Sequence, residues 1–405
     1  MDPPQTITMM PNSRIPGTRL LHAPGPTPIP NNVLAAMFEQ SMDLADPRVD
    51  HVIADCERGL LELLGANASG TRPYFYSCNG HGAWEATLAN LIAPGQIALI
   101  PGTGHFSDGW AEVAQAIGVE TLRTPWVPRQ PIDPQPIADA LRADPSHRIA
   151  AVCVIHTDTA SSVTSDLASI RQAMDSTGHP ALLVVDGVAS IGAAPFSMDA
   201  MRIDAAMGAS QKGLMMPAGL GFVVANERAR AVAAAHDRPR HYWDWRLRDG
   251  PLNYQKFCGT PPLQMLLGLR AALALLADEG LDAVHDRHRR LSAAVHAAIE
   301  CWRTAGAIDF YCALPSARSV SVTTLSVDPR FDAVALRTLA RERFQVALAG
   351  GLGPMTGKAF RIGHLGDQNE AQILGCLAGV QAALGAAAIP YGSGALEAAI
   401  AVLQS

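Results

Sequence analysis

The 405-residue chain has little that would tie it to a charged or oxidising setting. It has no Cys-x-x-C pair, and its seven cysteines (Cys56, Cys78, Cys153, Cys258, Cys301, Cys312, Cys376) are scattered and odd in number. That pattern argues against a disulfide framework or a zinc site and for reduced thiols in the cytoplasm. No apolar run approaches the ~18 continuous residues of a membrane helix. The opening MDPPQTITMMPNSRIPG is polar and proline-rich, so no secretory signal is expected. Excess positive charge is missing too: a net charge of −6 gives no long-range pull toward nucleic acid or an acidic membrane. The basic stretches His236–Arg248 and His285–Arg290 match no nucleic-acid-binding motif and read as solvated surface. Aromatic residues make up only 5%, which leaves the core to aliphatic side chains. Internal repeats and low-complexity tracts are absent.

What is present is an alternation of helical patterns with short apolar runs from Asn31 onward. Such alternation predicts an α/β protein, with a mostly parallel sheet covered by helices. The runs Tyr74–Cys78, Ile97–Ile100, Ile149–Ile155, Ala181–Val185 and Leu220–Ala225 are apolar throughout, as strands buried on both faces should be. After Thr260 the pattern becomes a long helix to about Glu279, a break at Gly280, and a second helix to Trp302. An alternating strand at Val320 and Val322, a helix over Asp332–Arg343, a strand at Phe360–Ile362 and two terminal helices follow. The length exceeds what one core sustains. The expected division is an arm over 1–24, a large domain over 25–280 and a smaller α+β domain over 281–405.

Chemistry concentrates in Ala181–Gly213. A buried strand ends in a carboxylate, Asp186, and farther along Lys212 stands in the small-residue loop Ser210-Gln211-Lys212-Gly213. Pyridoxal-phosphate chemistry asks for this pair: an amine to bond the cofactor's aldehyde and a carboxylate to keep its ring nitrogen protonated. Upstream, Ser77-Cys78-Asn79-Gly80-His81-Gly82 leads a strand into a helix, and a helix N-terminus is a ready phosphate site. Phe106 follows the strand Ile97–Ile100, where an aromatic can stack on a flat ring. His156-Thr157-Asp158-Thr159 follows another strand and offers polar groups to the same crevice. Arg361 lies inside an apolar strand, where its charge needs either an internal carboxylate or that of a substrate. Taken singly, each residue has an ordinary structural explanation; their joint occurrence is the signal.

These segments give the chain a resemblance to fold-type I, class V aminotransferases, closest to the serine–glyoxylate and alanine–glyoxylate group, which also holds aspartate–glyoxylate enzymes. The likeness runs from Ala23-Pro24-Gly25-Pro26-Thr27 to Gly392-Ser393-Gly394. It is strongest at Gly82-Ala83-Trp84-Glu85, Asp186-Gly187-Val188-Ala189-Ser190, Ser210–Met215 and Arg361–Asp367. The resemblance implies a seven-stranded-type sheet in the large domain, pyridoxal 5'-phosphate as cofactor and a homodimer with shared sites. It implies Lys212 as Schiff-base lysine and proton shuttle, Asp186 at the ring nitrogen, Val188 beneath the ring and Phe106 over it. Asn79, Gly80, His81 and Gln211 would hold the phosphate, Thr159 the ring, and Arg361 the substrate carboxylate. Thr260 would reach the neighbouring subunit's phosphate.

Departures from the family pattern are also visible. Phe257 stands where a tyrosine would donate to the phosphate, Asn79 replaces a serine, Asp158 replaces a glutamate, and Ser162 replaces a glycine. The expected reaction is transfer of an amino group from a small L-amino acid (serine, alanine or aspartate) to glyoxylate or pyruvate. Pyridoxamine–pyruvate transamination, or a lyase or desulfurase of the same fold, are the alternatives. No metal is expected.

Overall fold

The computed structural model describes residues 17–404, so most of the expected N-terminal arm lies outside the described residues. In chain order the strands are β1 (Leu20–His22), β2 (Arg72–Tyr76), β3 (Ile97–Leu99), β4 (Glu120–Leu122) and β5 (Ile149–Ile155). A two-strand ribbon, β6 (Thr157–Asp158) and β7 (Val163–Thr164), precedes β8 (Leu182–Asp186), β9 (Ala205–Ala209) and β10 (Gly221–Ala225). The last third adds β11 (Ile308–Phe310), β12 (Val322–Val327), β13 (Val346–Gly350) and β14 (Ala359–Gly363).

A seven-stranded sheet in the order β2-β10-β9-β8-β5-β3-β4 carries the larger part of the chain. Its neighbours run parallel except at β10, which is antiparallel to both β9 and β2. Successive residues of β5 enter opposite cores: Val152 and Val154 one, Ala151, Cys153 and Ile155 the other. Helices Pro47–Leu63 and Leu263–Glu279 cover the first face, and Gly80–Leu91 and His105–Ala116 the second. Burial on both faces explains why these strands read as unbroken apolar runs. One strand has no such signature. β9 is Ala-Ala-Met-Gly-Ala because Phe222 of β10 lies over it, and a Cβ at Gly208 would stand 2.2 Å from the Phe222 ring.

The second sheet has the order β1-β13-β14-β12-β11 and its own core against helices Leu281–Trp302, Ala333–Arg343 and Glu370–Ala386. Its edge strand comes from the other end of the chain, with Leu20 paired to Val346 in parallel. The described part of the expected arm is therefore a strand of the C-terminal sheet. Gly280, at φ 83°, separates the helices Leu263–Glu279 and Leu281–Trp302.

Four histidines are buried in the polar seams of this C-terminal half, each pushed down by burial. His22, His288 and His296 fall to about 4, and His364 lies well below its ordinary 6.5. All four serve as neutral hydrogen-bonding groups. His288 donates from Nδ1 to the Val284 carbonyl (2.7 Å) and accepts from the Gly366 N–H (3.1 Å). The Nε2 atoms of His364 and His296 meet at the Thr323 hydroxyl, 2.9 and 3.1 Å away. An unfolded chain takes up protons on these residues from about pH 6.5 downward, whereas the folded one resists them. Their stabilising contribution is therefore complete above about pH 6.5 and is lost as pH falls toward 4. Urea unfolding should show a midpoint that is flat from pH 7 to 8. Below about pH 6 the stability should drop by about 1.4 kcal/mol per pH unit for each histidine. A midpoint still flat at pH 5 would contradict this reading.

Candidate active site

The parallel strands leave their C-terminal ends on one edge, and because β10 is reversed, β2 ends there too. The loops after β2, β3, β5, β8 and β9 consequently converge, as expected where ligands collect on open α/β sheets. They enclose a cavity of about 280 Å³. Asn79, Gly80, His81, Phe106, Thr159, Asp186, Val188, Gln211 and Lys212 all line it. Of the residues expected to contact a cofactor, only Thr260 is elsewhere, on an exposed turn.

Lys212 is 9% exposed, and burial, reinforced by the Arg361 charge, draws its amine down to about 7 against the opposing pull of Asp186 and Asp158. The amine donates to the Pro24 carbonyl. Gly25 passes so close that a Cβ would stand 2.6 Å from the lysine side chain, and its φ of 136° suits only glycine. Next to it the Thr27 hydroxyl donates to the Lys212 carbonyl at 3.0 Å. The Pro24–Thr27 segment thus forms one wall of the lysine's cage.

Asp186 is buried, which raises it to about 6. Its Oδ1 accepts from the Val188 N–H at 2.7 Å and its Oδ2 from the Trp84 indole at 2.6 Å, and both hold it toward the anion. A cation facing it would lower it further. The N-terminus of the twelve-residue helix Gly80–Leu91 also opens onto the cavity, with the Asn79 side chain accepting from the His81 N–H. Gln211 also lines the cavity, and its side-chain amide oxygen is buried without a hydrogen-bond partner, an amide head free to meet a ligand.

Asp158 is fully buried, and burial raises it against three backbone N–H donors. Its carboxylate ties two walls together. Oδ2 accepts from the Phe106 N–H (3.1 Å) and Oδ1 from the Ala160 N–H (2.8 Å). Ser162 has φ 55°, a left-handed conformation that explains why a glycine suits the position. Its hydroxyl accepts from Thr324 N–H of β12 at 2.8 Å, a bond no glycine could make. Phe257 is buried and stacks on Phe75, ring centroids 6.3 Å apart.

Arg361 does not line the cavity but adjoins it. It is 7% exposed, donates from Nε to the Gly350 carbonyl (2.7 Å) and from Nη1 to the Thr159 carbonyl (2.8 Å). Among the described residues no carboxylate forms an ion pair with it, and the charge that acts on it most is that of Asp158, from beyond contact distance. An internal salt bridge therefore does not account for this buried charge.

Thr157 lines the cavity as the His156–Thr159 segment suggested, and Trp84, Ala189 and Ala218 line it as well. Trp84, Ala189 and the Gly25-Pro26 pair carried a signal only as parts of the resembling segments. Ala218 carried none, since only tertiary folding brings it to the cavity.

The family model "Aminotransferase class-V" matches residues 19–354. The chain belongs to the class-V aminotransferase family. It is 38% identical over 379 residues to a serine–glyoxylate aminotransferase of Methylorubrum extorquens, covering 92% of both chains. Among solved structures, ureidoglycine–glyoxylate aminotransferase from Bacillus subtilis superposes with a TM-score of 0.86 at 28% identity, covering 97% of this chain and all of the other. Pyridoxamine–pyruvate aminotransferase from Mesorhizobium loti gives 0.85 at 26%, covering 96% of this chain and 98% of the other. As a class-V aminotransferase the protein uses pyridoxal phosphate. The lining fits that group: it holds a buried carboxylate suited to the ring nitrogen, a helix N-terminus and an unpartnered amide suited to the phosphate, and apolar Phe106 and Val188 suited to the ring.

A lysine held near 7 is about half free amine at neutral pH, whereas an ordinary one reaches that point only near 10.5. Cofactor capture by the cofactor-free protein, followed by stopped-flow absorbance, should accelerate with pH up to about 7 and level off about one unit above. A rate still climbing toward pH 10 would contradict the caged-lysine geometry. Lys212→Ala should abolish covalent capture.

Proposed function

We propose that this aminotransferase carries an amino group from a small L-amino acid, serine, alanine or aspartate, to glyoxylate or pyruvate. Serine and glyoxylate are the pair favoured by the likeness to the Methylorubrum enzyme. The observation that carries the reading is that Lys212 feels both a buried carboxylate, Asp186, and a buried arginine, Arg361, which has no ion-pair partner among the described residues.

When bound, pyridoxal phosphate supplies an aldehyde that takes up the amino group and a ring that accepts the electron pair left by the departing α-proton. Asp186 keeps the ring nitrogen protonated. The Lys212 amine, about half of it free base near pH 7, removes the donor's α-proton and returns a proton to the acceptor's carbon on the way back. Arg361, with Nε and Nη1 fixed on Gly350 and Thr159, offers its remaining N–H groups to the substrate α-carboxylate. Asn79, Gly80, His81 and Gln211 receive the phosphate, and Thr159, Val188 and Phe106 hold the ring.

A homodimer accompanies this reading. Asn79 and His81 are exposed in the single chain, so the phosphate end lacks a cover. Phe38 is 85% exposed, and exposed Leu44 lies beside exposed Leu252 and Tyr254, their segments joined by the Asn253 amide on the Leu44 carbonyl. Thr260, which follows in the same stretch and is exposed, would close the partner's cavity in this reading. All seven thiols are free, in keeping with a cytoplasmic setting.

The deciding experiment gives the holoenzyme donor without oxo acid and then desalts it. The protein should retain one amino group per chain and deliver it to added glyoxylate as glycine. Departure of the amine with the small molecules, and turnover on unphosphorylated pyridoxal, would favour pyridoxamine–pyruvate chemistry instead. Arg361→Lys keeps the charge but loses the planar fork. It should raise KM for both donor and acceptor by about tenfold or more, with cofactor content unchanged. Equal KM values in the variant would return Arg361 to a structural role.

A further inference from the structure

Asp186 is reached by one side-chain donor besides its backbone contact, the Trp84 indole at 2.6 Å. Trp84 sits in the second turn of the helix Gly80–Leu91 and is 2% exposed. Its ring stacks on Trp110 (centroids 5.8 Å, planes 14° apart) and meets Phe106 edge-on at 6.4 Å. His81 packs against it at 4.4 Å. The indole therefore cannot turn away from Asp186 without displacing rings on both walls of the cavity.

The neighbouring Trp110 gives a control within the fold. Its Nε1 is buried with no partner, so this region accommodates an unbonded indole N–H, while that of Trp84 is aimed at a carboxylate. Two donors from different elements, Trp84 on a helix and Val188 after a strand, fix the carboxylate plane. Each oxygen accepts one of them and keeps a further lone pair for another group.

We propose that Trp84 is a positioning residue for the transamination: its indole N–H sets the plane of the Asp186 carboxylate and keeps it an anion opposite the cofactor's ring nitrogen. This rests on the reading that Asp186 pairs with that nitrogen. The same indole rides on the helix Gly80–Leu91, whose N-terminal residues Asn79, Gly80 and His81 also line the cavity. An indole serving only as core would need its bulk and not its N–H.

The test compares wild-type, Trp84→Phe and Asp186→Asn holoenzymes. The phenylalanine keeps the apolar contact and deletes the donor. The first measurement is the pH midpoint of the cofactor's visible absorbance change. A ring nitrogen facing a poorly held carboxylate keeps its proton less firmly. Losing that positive charge lets the Lys212 nitrogen keep its own proton to higher pH. In Trp84→Phe the midpoint should rise by about one unit, the worth of a hydrogen bond to a charged group. The kcat should fall about tenfold while KM for the donor changes less than about twofold. If the phenylalanine variant fails to fold or load, 3-benzothienylalanine installed at position 84 replaces the N–H by sulfur with almost unchanged shape, and the same shift is expected. An unmoved midpoint in a loaded variant overturns the proposal, whatever happens to the rate. Where Asp186→Asn moves the midpoint and Trp84→Phe does not, the positioning role alone fails. Where neither moves it, the pairing of Asp186 with the ring nitrogen has failed with it.

Discussion

A lysine amine taken out of water is the constraint around which the rest of this structure is arranged. Burial alone would strip Lys212 of its proton, and Arg361 pushes the same way, while Asp186 and Asp158 oppose them. The balance leaves the amine near 7, reactive without being lost as a base. Each member of that balance is in turn held by its own donors or acceptors: Asp186 by Val188 and Trp84, Asp158 by the loops of Phe106 and Ala160, Arg361 by Gly350 and Thr159. A shift in any one holder would thus reach the lysine electrostatically before it reached it sterically.

The same arrangement joins the two halves of the chain. Arg361 lies on β14 of the second sheet yet donates to Thr159 of the first domain's loop, and Thr324 of β12 donates to Ser162. Ser162 accepts a left-handed backbone, a cost of roughly 1–2 kcal/mol for a non-glycine residue. In return its hydroxyl makes a bond between sheets that a glycine would leave unmade. The departure noted in the sequence therefore tightens the seam beside the site rather than opening it. Phe257 fills its own chain's core against Phe75, so it is no substitute donor for a phosphate.

Much of this was legible beforehand because burial on both faces leaves a plain mark. The strands β5, β8 and β10 are unbroken apolar runs, and the residues at their ends are few and chemically distinct. Asp186 and Lys212 stood out for that reason. β9 escaped notice because its small residues answer to Phe222 on a neighbouring strand, a relation that no local pattern carries. β13 and β1 are short and partly exposed, and β1 pairs with a segment near the other end of the chain. Trp84 was visible only as a letter in a resembling segment. Its hydrogen bond to Asp186 spans 102 positions, and only folding reveals which of the six tryptophans has a carboxylate to meet.

The pairing of Leu20–His22 with Val346–Leu348 has a consequence for how the molecule is made. The Pro24–Thr27 segment that cages Lys212 is anchored by that strand, and the strand has no partner until the ribosome has delivered nearly the whole chain. At ~5–20 residues per second, translation holds Leu20–His22 waiting until Val346–Leu348 emerge. The large sheet and its strand-end loops can form during that interval, but the lysine's cage closes last. Capture of the cofactor is thereby deferred until the chain is almost complete, and a nascent or truncated product lacking β13 would expose its lysine in an unfinished pocket.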